Sequence, residues 1–104
     1  MKEIIFLKGM YQDSYYPKFL VDKIKDLLEQ IVRYLEQGPH PLEDIQVKFD
    51  EITLAINDLE VEFLEHDSEI ETVARDSIAL TVMDILDIYN VKLDIEDALR
   101  EREW

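Results

Sequence analysis

Apolar side chains recur at alternating intervals of three and four residues through the middle of this 104-residue sequence. The intervals predict a long α-helix with one apolar face, because steps of three and four residues return to the same side of a helix. A β-strand is excluded for this segment, since strand alternation would put Lys48 and Asp50 on the apolar face. The series consists of Leu42, Ile45, Phe49, Ile52, Ile56, Leu59 and Phe63.

The same spacing predicts a long helix on either side of this one. The first follows Pro17 and ends at Gly38-Pro39-His40-Pro41, where glycine suits a positive φ angle and proline cannot continue a helix. The third begins at Ser68, which forms a capping-box motif with Glu71, and ends at Asn90. The predicted inner faces are Leu20, Ile24, Leu27, Leu28, Ile31, Tyr34 and Leu35 in the first, and Ile70, Val73, Ala74, Ser77, Ile78, Thr81, Val82, Ile85, Ile88 and Tyr89 in the third.

A short fourth helix is predicted after Asp94, with Ala98 and Leu99 among its inner residues. The N-terminus is predicted to be irregular or briefly helical, because Gly9 breaks the first apolar run. Short links between long amphipathic helices favour antiparallel neighbours. The predicted fold is therefore all-α: one domain over residues 1–104, an up-down bundle of three long helices plus a short C-terminal helix.

The charge of the chain narrows the classes of partner. Twenty-five Asp and Glu face eleven Lys and Arg, which gives a net charge of −14. Such a surface repels nucleic acid and anionic lipid, so we expect no direct binding to nucleic acid or to a membrane. No apolar run reaches the roughly 20 residues that span a bilayer, and a cytoplasmic location is expected.

The residues needed for common catalytic chemistries are missing. The absence of cysteine excludes thiol catalysis and cysteine-ligated metals. Neither His40 nor His66 has a Glu three positions earlier, as a di-iron bundle requires, and the two glycines lie too far apart for a phosphate loop. We expect no catalytic residue, cofactor or metal, and an enzyme is the less favoured class.

The most acidic stretch lies between residues 57 and 76, and it suggests a binding function. One hypothesis is a non-enzymatic protein-binding module, such as an inhibitor or an immunity-like protein, that uses this acidic face to bind a basic protein. The alternative is a solvated face that only maintains solubility. The chain is expected to be a monomer, or a homodimer if Leu7, Met10 or Leu64 forms an exposed patch. The candidate partner-binding residues are Glu62, Glu65, Asp67, Glu69 and Asp76.

A cluster of tyrosines near the N-terminus supports a second hypothesis. Tyr11, Asp13, Tyr15 and Arg75 would line a pocket with small-molecule or metal-dependent activity if this segment folds over the third long helix. If it is exposed, Arg75 pairs with Glu71 one turn earlier; if it is partly buried, it binds Asp13 or Asp22 and fixes the N-terminal segment on the third helix. The alternative is that the tyrosines form a lid over the end of the bundle.

Three segments are similar to those of a known family. They are GMYQDSYYPKFLVDKIK at residues 9–25, SEIETVARDSIA at residues 68–79, and the C-terminal REREW with its final REW. This combination resembles a family of small, acidic, uncharacterised bacterial proteins, classed as a domain of unknown function. The resemblance implies an all-helical single domain from the bacterial cytosol, and it implies no activity, cofactor or catalytic residue.

Overall fold

The computed structural model describes residues 3–104, and these residues form five α-helices and no strand. The all-α class is therefore confirmed. The helices are α1 (Lys8–Gln12), α2 (Lys18–Glu36), α3 (Leu42–Glu65), α4 (Thr72–Ile88) and α5 (Ile95–Ala98). Within residues 3–104, no helix combines the length and the apolar character that crossing a membrane requires.

Side-chain contacts define the directions of the three long helices. Lys23 near the start of α2 pairs with Glu62 near the end of α3, so α2 and α3 run antiparallel. The hydroxyl group of Tyr16, which precedes α2, accepts a hydrogen bond from the backbone N–H of Ala74 at the start of α4. Tyr89 at the end of α4 donates to Glu36 at the end of α2, so α2 and α4 run in the same direction.

The core lies where the apolar faces of the three long helices meet. Phe49, Ile56 and Phe63 of α3 are fully buried, as are Ile24 and Leu28 of α2. Burial of such side chains contributes about 1.5–3 kcal/mol each before the entropy of the chain is counted. The periodic spacing predicted all five of these residues as core residues.

Two predicted core residues are exposed instead, and both lie in the first turn of their helix. Leu42 is the first residue of α3 and Val73 is the second residue of α4. Helical spacing gives the side on which a residue lies, but it does not show where the neighbouring helix ends. Of the three residues whose exposure would favour a homodimer, only Leu64 is exposed, because Leu7 and Met10 are fully buried.

The N-terminal segment is part of the core. The five-residue helix α1 agrees with the prediction of a briefly helical N-terminus, and Gly9, which was predicted to break the apolar run, lies within this helix. Leu7 adopts a φ of 53°, and its backbone N–H donates to Thr81 Oγ1 of α4 at 3.0 Å. A Cβ atom at position 9 would lie 2.5 Å from Ser77 Oγ, so a larger residue there forces the Ser77 hydroxyl group to move. The chain therefore docks α1 directly on α4.

Asn90 ends α4 as predicted. It has a φ of 53°, and the next residue, Val91, donates its backbone N–H to the Leu86 carbonyl at 2.8 Å. Asparagine tolerates this left-handed conformation better than most residues do, and the hydrogen bond satisfies a free carbonyl of the last turn. Asp94 precedes α5 as predicted, although its side chain makes no capping hydrogen bond.

The C-terminal segment runs back along α3 through polar contacts. Arg100 forms a bidentate pair with Asp50, at 2.6 and 3.0 Å, and this hydrogen bonding lowers the pKa of Asp50. Asn57 donates to the Glu101 carbonyl at 2.7 Å and accepts from the Glu103 backbone N–H at 3.0 Å. These contacts bring Glu103 close to α3.

The approach of Glu103 to α3 disfavours the charged form of the Glu60 carboxyl group. Its Oε1 atom is buried without a hydrogen-bond partner, and its pKa is raised by burial and then by the charges of Glu103 and Glu69. A carboxyl group whose pKa is higher in the folded state than in the unfolded state reduces stability once the pH rises above its unfolded pKa.

We therefore expect Glu60→Gln to raise the melting temperature by a few degrees at pH 7. The gain should shrink as the pH falls toward 4, because the wild-type carboxyl then becomes neutral in both states. Thermal unfolding followed by circular dichroism at a series of pH values measures this difference. A gain that is equally large at pH 4 would contradict the assignment to charge.

Candidate functional site

The turn between α3 and α4 places acidic residues at one end of the bundle. Asp67 adopts a φ of 57°, and its backbone N–H donates to the Leu64 carbonyl at 3.2 Å. Ser68 donates its backbone N–H to the Phe63 carbonyl at 2.9 Å. These two bonds are those of a Schellman motif, which satisfies the free carbonyls at the end of α3. The Asp67 side chain is left exposed to solvent.

The predicted capping box at Ser68 and Glu71 is wrong. Ser68 is buried, its hydroxyl group has no hydrogen-bond partner, and α4 begins at Thr72. Glu71 occupies the position before the helix and makes no side-chain cap. The physical reason is that the backbone at Ser68 completes the end of α3, which turns its side chain inward, away from the start of α4.

Tyr16 interacts with the start of α4 in place of Ser68. Its hydroxyl oxygen accepts a hydrogen bond from the Ala74 backbone N–H at 3.2 Å, and its ring packs edge-on to Phe63 with the centroids 6.4 Å apart. Only 2% of Tyr16 is exposed, and burial raises its pKa. The residue therefore joins the N-terminal segment to both α3 and α4.

Removal of this hydroxyl group tests its role. Tyr16→Phe is expected to lower the free energy of unfolding by about 1–2 kcal/mol, since the N–H of the fully buried Ala74 loses its acceptor. Tyr15→Phe is the matched control and should change it by less than about 0.5 kcal/mol, because Tyr15 is exposed. Urea unfolding of both variants decides the matter; equal effects would refute the capping role.

Two aromatic rings lie on the surface beside this turn. Tyr15 is 40% exposed and packs edge-on to Tyr16, with the centroids 5.1 Å apart. Phe19 is 47% exposed and packs edge-on to the His66 ring, with the centroids 5.0 Å apart. The pKa of Tyr15 is raised by desolvation and then by the charges of Glu71 and Glu69, which places these carboxylates near its hydroxyl group.

The predicted partner-binding residues fall into three groups. Glu62 pairs with Lys23 at 2.7 Å, which partly neutralises it. Asp76 is exposed on α4, in the second turn. The other three, Glu65, Asp67 and Glu69, are exposed at the α3–α4 turn, where Glu69 acts on Tyr15 and His66, between Glu65 and Asp67, contacts Phe19. We call this surface the acidic end and define it as Tyr15, Phe19, Glu65, Asp67, Glu69 and Glu71.

Of the four residues predicted to line a pocket, Asp13 and Tyr15 are hydrogen-bonded to each other, whereas Tyr11 and Arg75 have partners outside the set. The Tyr11 hydroxyl group donates to Asp22 Oδ1 at 2.5 Å, and burial and this bond raise the pKa of Tyr11. Asp13 Oδ1 accepts from the Tyr15 backbone N–H at 2.9 Å. Arg75 is exposed and donates to Thr72 Oγ1 at 3.3 Å, so the burial on which the contacts with Asp13 or Asp22 depended is absent. Within residues 3–104, no three acidic or histidine residues are grouped as a metal site requires.

An open cleft of about 390 Å³ lies at the other end of the bundle, beside the α2–α3 loop. His40 lines this cleft, but its ring stacks on Tyr34 at 3.9 Å and its Nε2 atom is 2.9 Å from the Tyr34 carbonyl. Lys92 also lines it and donates to Asn90 Oδ1 at 2.9 Å. Because both groups are held in local contacts, this cleft is a weaker candidate than the acidic end.

Sequence reasoning missed Phe19 as a surface residue of the candidate site. A usable signal was present, because Phe19 lies outside the three-and-four spacing of Leu20, Ile24 and Leu28. A large aromatic side chain off the apolar face of a helix is expected to be exposed, and aromatic residues are enriched among the residues that dominate binding energy.

Comparison of the sequence with protein families identifies the group to which it is related. The model of a family described as "Family of unknown function (DUF5713)" matches residues 1–104. The chain belongs to this family. Comparisons with curated proteins and with solved structures gave no match. The predicted resemblance to a family of unknown function is thus confirmed, and the surface of this DUF5713 member has to be interpreted from its own residues.

Proposed function

We propose that this chain is a non-enzymatic protein-binding module whose acidic end binds a basic segment of a partner protein in the cytoplasm. The observation that carries the proposal is the exposure of Tyr15 and Phe19 among the carboxylates of the α3–α4 turn. A solvated face that only maintains solubility gains nothing from exposed aromatic rings. An inhibitor or an immunity-like protein is the class that this surface suits best.

The chemistry of this surface favours lysine and arginine side chains. Their aliphatic parts can pack on the two rings, while their charges face the rings and Glu65, Asp67 and Glu69. Lys23 lies over the Phe19 ring, with its Nζ atom 6.0 Å from the centroid, so this ring already interacts with a cation within the chain. The net charge of −14 adds long-range attraction that speeds encounter and weakens as salt rises.

Affinity capture from a lysate of the native organism tests the proposal. The wild-type chain should retain a basic protein at low salt and release it at high salt. Asp67→Asn combined with Glu69→Gln should reduce retention several-fold, as should Phe19→Ser. Asparagine suits the left-handed conformation at position 67, so the fold should survive the change.

The matched control is Asp97→Asn combined with Glu101→Gln, which removes the same two charges from exposed positions outside the acidic end. This control should retain the partner as well as the wild-type chain does. Equal loss in both double variants would show that net charge alone is responsible. Retention that does not depend on salt would contradict the electrostatic basis.

A further inference from the structure

The outer face of α3 carries a row of exposed aliphatic side chains. Val47, Leu54 and Val61 are 54%, 48% and 60% exposed. They are seven residues apart, so they lie in one line along the helix over about four turns. This line is opposite the core face, on which Phe49, Ile56 and Phe63 are fully buried. We call these three residues the aliphatic row.

A second line of side chains, all acidic, runs beside the aliphatic row. Its four members are also seven residues apart, and each lies three residues before or four residues after a member of the aliphatic row, so the two lines are adjacent on the helix surface. All four are exposed, and Glu51 Oε2 lies 3.9 Å from Lys48 Nζ. We call this line the acidic row: Asp44, Glu51, Asp58 and Glu65.

Neighbouring elements border this face without covering the aliphatic row. On the side away from the acidic row, the C-terminal segment is tied to Asp50 and Asn57. On the other side, α2 is tied to Glu62 through Lys23. Asp50 is neutralised by Arg100 within the chain, so four exposed carboxylates of α3 lie on the side of the acidic row and one, Glu43, lies on the other side of the aliphatic row.

We propose that this face of α3 binds one amphipathic, basic α-helix of a partner protein. The seven-residue repeat matches the spacing at which a second helix presents its own apolar residues. Aliphatic side chains of the partner would lie on the aliphatic row, and its lysine or arginine residues would face the acidic row. The proposal rests on the proposed function for the charge of the partner, but it concerns the outer face of α3, which adjoins the acidic end at Glu65, and it specifies the secondary structure of the partner.

Charge also disfavours a second copy of this chain as the occupant. Pairing of two aliphatic rows would bring two acidic rows together, and like charges in close contact weaken an interface. The chain has a net charge of −14, which opposes self-association further.

A designed peptide is the probe for this surface. It has 21 residues, with leucine at the a and d positions of each heptad, lysine at the flanking e and g positions, and a fluorescent label. A scrambled peptide of the same composition has no apolar face. Fluorescence anisotropy should show binding of the amphipathic peptide and clearly weaker binding of the scrambled one.

Two glutamate variants separate the aliphatic row from simple charge attraction. Leu54→Glu should weaken binding of the amphipathic peptide on the order of tenfold, because it places a carboxylate within the apolar contact. Leu80→Glu is the matched control, since Leu80 is 63% exposed on α4 and the change in charge is identical. If binding depended on charge attraction alone, both variants would bind the basic peptide at least as tightly as the wild-type chain, because each variant adds a negative charge. That result would overturn the proposal.

The remaining outcomes overturn the proposal. No binding of the amphipathic peptide, equal binding of the scrambled peptide, or equal losses from Leu54→Glu and Leu80→Glu would each refute it. A homodimer in solution that Leu54→Glu dissociates would assign the face to a second copy instead. The capture experiment with variants of Asp67, Glu69 and Phe19 is judged separately, so failure here leaves the proposed function testable on its own.

Discussion

Phe63→Ala is expected to lower the free energy of unfolding by about 3–5 kcal/mol. Phe63 is fully buried near the end of α3, where its ring contacts Tyr16. Its backbone carbonyl accepts from Ser68 in the turn that leads to α4. Loss of the ring leaves a cavity at the meeting point of α3, α4 and the N-terminal segment. The loss is a large share of the 5–15 kcal/mol by which domains of this size are usually stable.

Urea unfolding followed by circular dichroism measures this effect. Leu64→Ala is the matched control, because Leu64 is the next residue and is exposed. It should change the free energy of unfolding by about 0.5 kcal/mol or less. A similar loss in the two variants would mean that the burial assigned to Phe63 is wrong.

Gly9→Ala is expected to lower the free energy of unfolding by about 1–3 kcal/mol, although alanine is the better helix former. The added methyl group would lie 2.5 Å from Ser77 Oγ, which is closer than van der Waals contact allows. Ser77 Oγ must then rotate away within a packed contact, or α1 must move away from α4. Rotation would disturb the packing around the buried Ser77, and a shift of α1 would weaken the contacts of Leu7 and Met10 with the core.

A second substitution distinguishes this clash from a general sensitivity of α1 to substitution. Ser77→Ala removes the clashing oxygen, and the next atoms lie at ordinary contact distances: Val73 Cγ1 at 3.6 Å and Ser77 Cβ at 3.9 Å. The double variant Gly9→Ala/Ser77→Ala should therefore be at least as stable as Ser77→Ala alone. A double-mutant cycle measured by urea unfolding gives this coupling. Additive losses would contradict the proposed contact.

Helical periodicity predicted the interior of the long helices well. The series from Ile45 to Phe63 is buried as predicted, because a helix that packs on neighbours along its length needs an apolar side chain on each inward turn. The breaks at Gly38 and Asn90 were also predictable, since a positive φ angle favours few residue types and both positions have one.

Features that depend on distant residues were not predictable in this way. Ser68 has the local sequence of a helix cap, yet the hydroxyl group that meets the first turn of α4 belongs to Tyr16, 58 residues away from Ala74. Gly9 was interpreted as a break of the apolar run. Its packing role could not be predicted, because that role depends on the approach of Ser77 from α4. Local sequence describes what a backbone prefers, whereas these roles arise only when separate segments pack together.

The candidate site was predictable in composition but not in arrangement. The acidic residues of the α3–α4 turn follow from the charge distribution alone. The position of Phe19 beside them was not predictable, because it involves a contact of its ring with His66 of a distant segment, and no spacing rule describes such a contact. Arg75 had three carboxylates as candidate partners, and it bonds to a threonine hydroxyl group instead.

The docking of Leu7 on Thr81 has a consequence for biosynthesis. Seventy-four residues separate the two partners, so the apolar segment around Leu7 and Met10 leaves the ribosome long before α4 has been translated. The hairpin of α2 and α3 needs only nearby residues and can form during translation, whereas the first segment must wait with its apolar side chains uncovered. Until translation of α4 is complete, a chaperone that binds short apolar segments would find its target there.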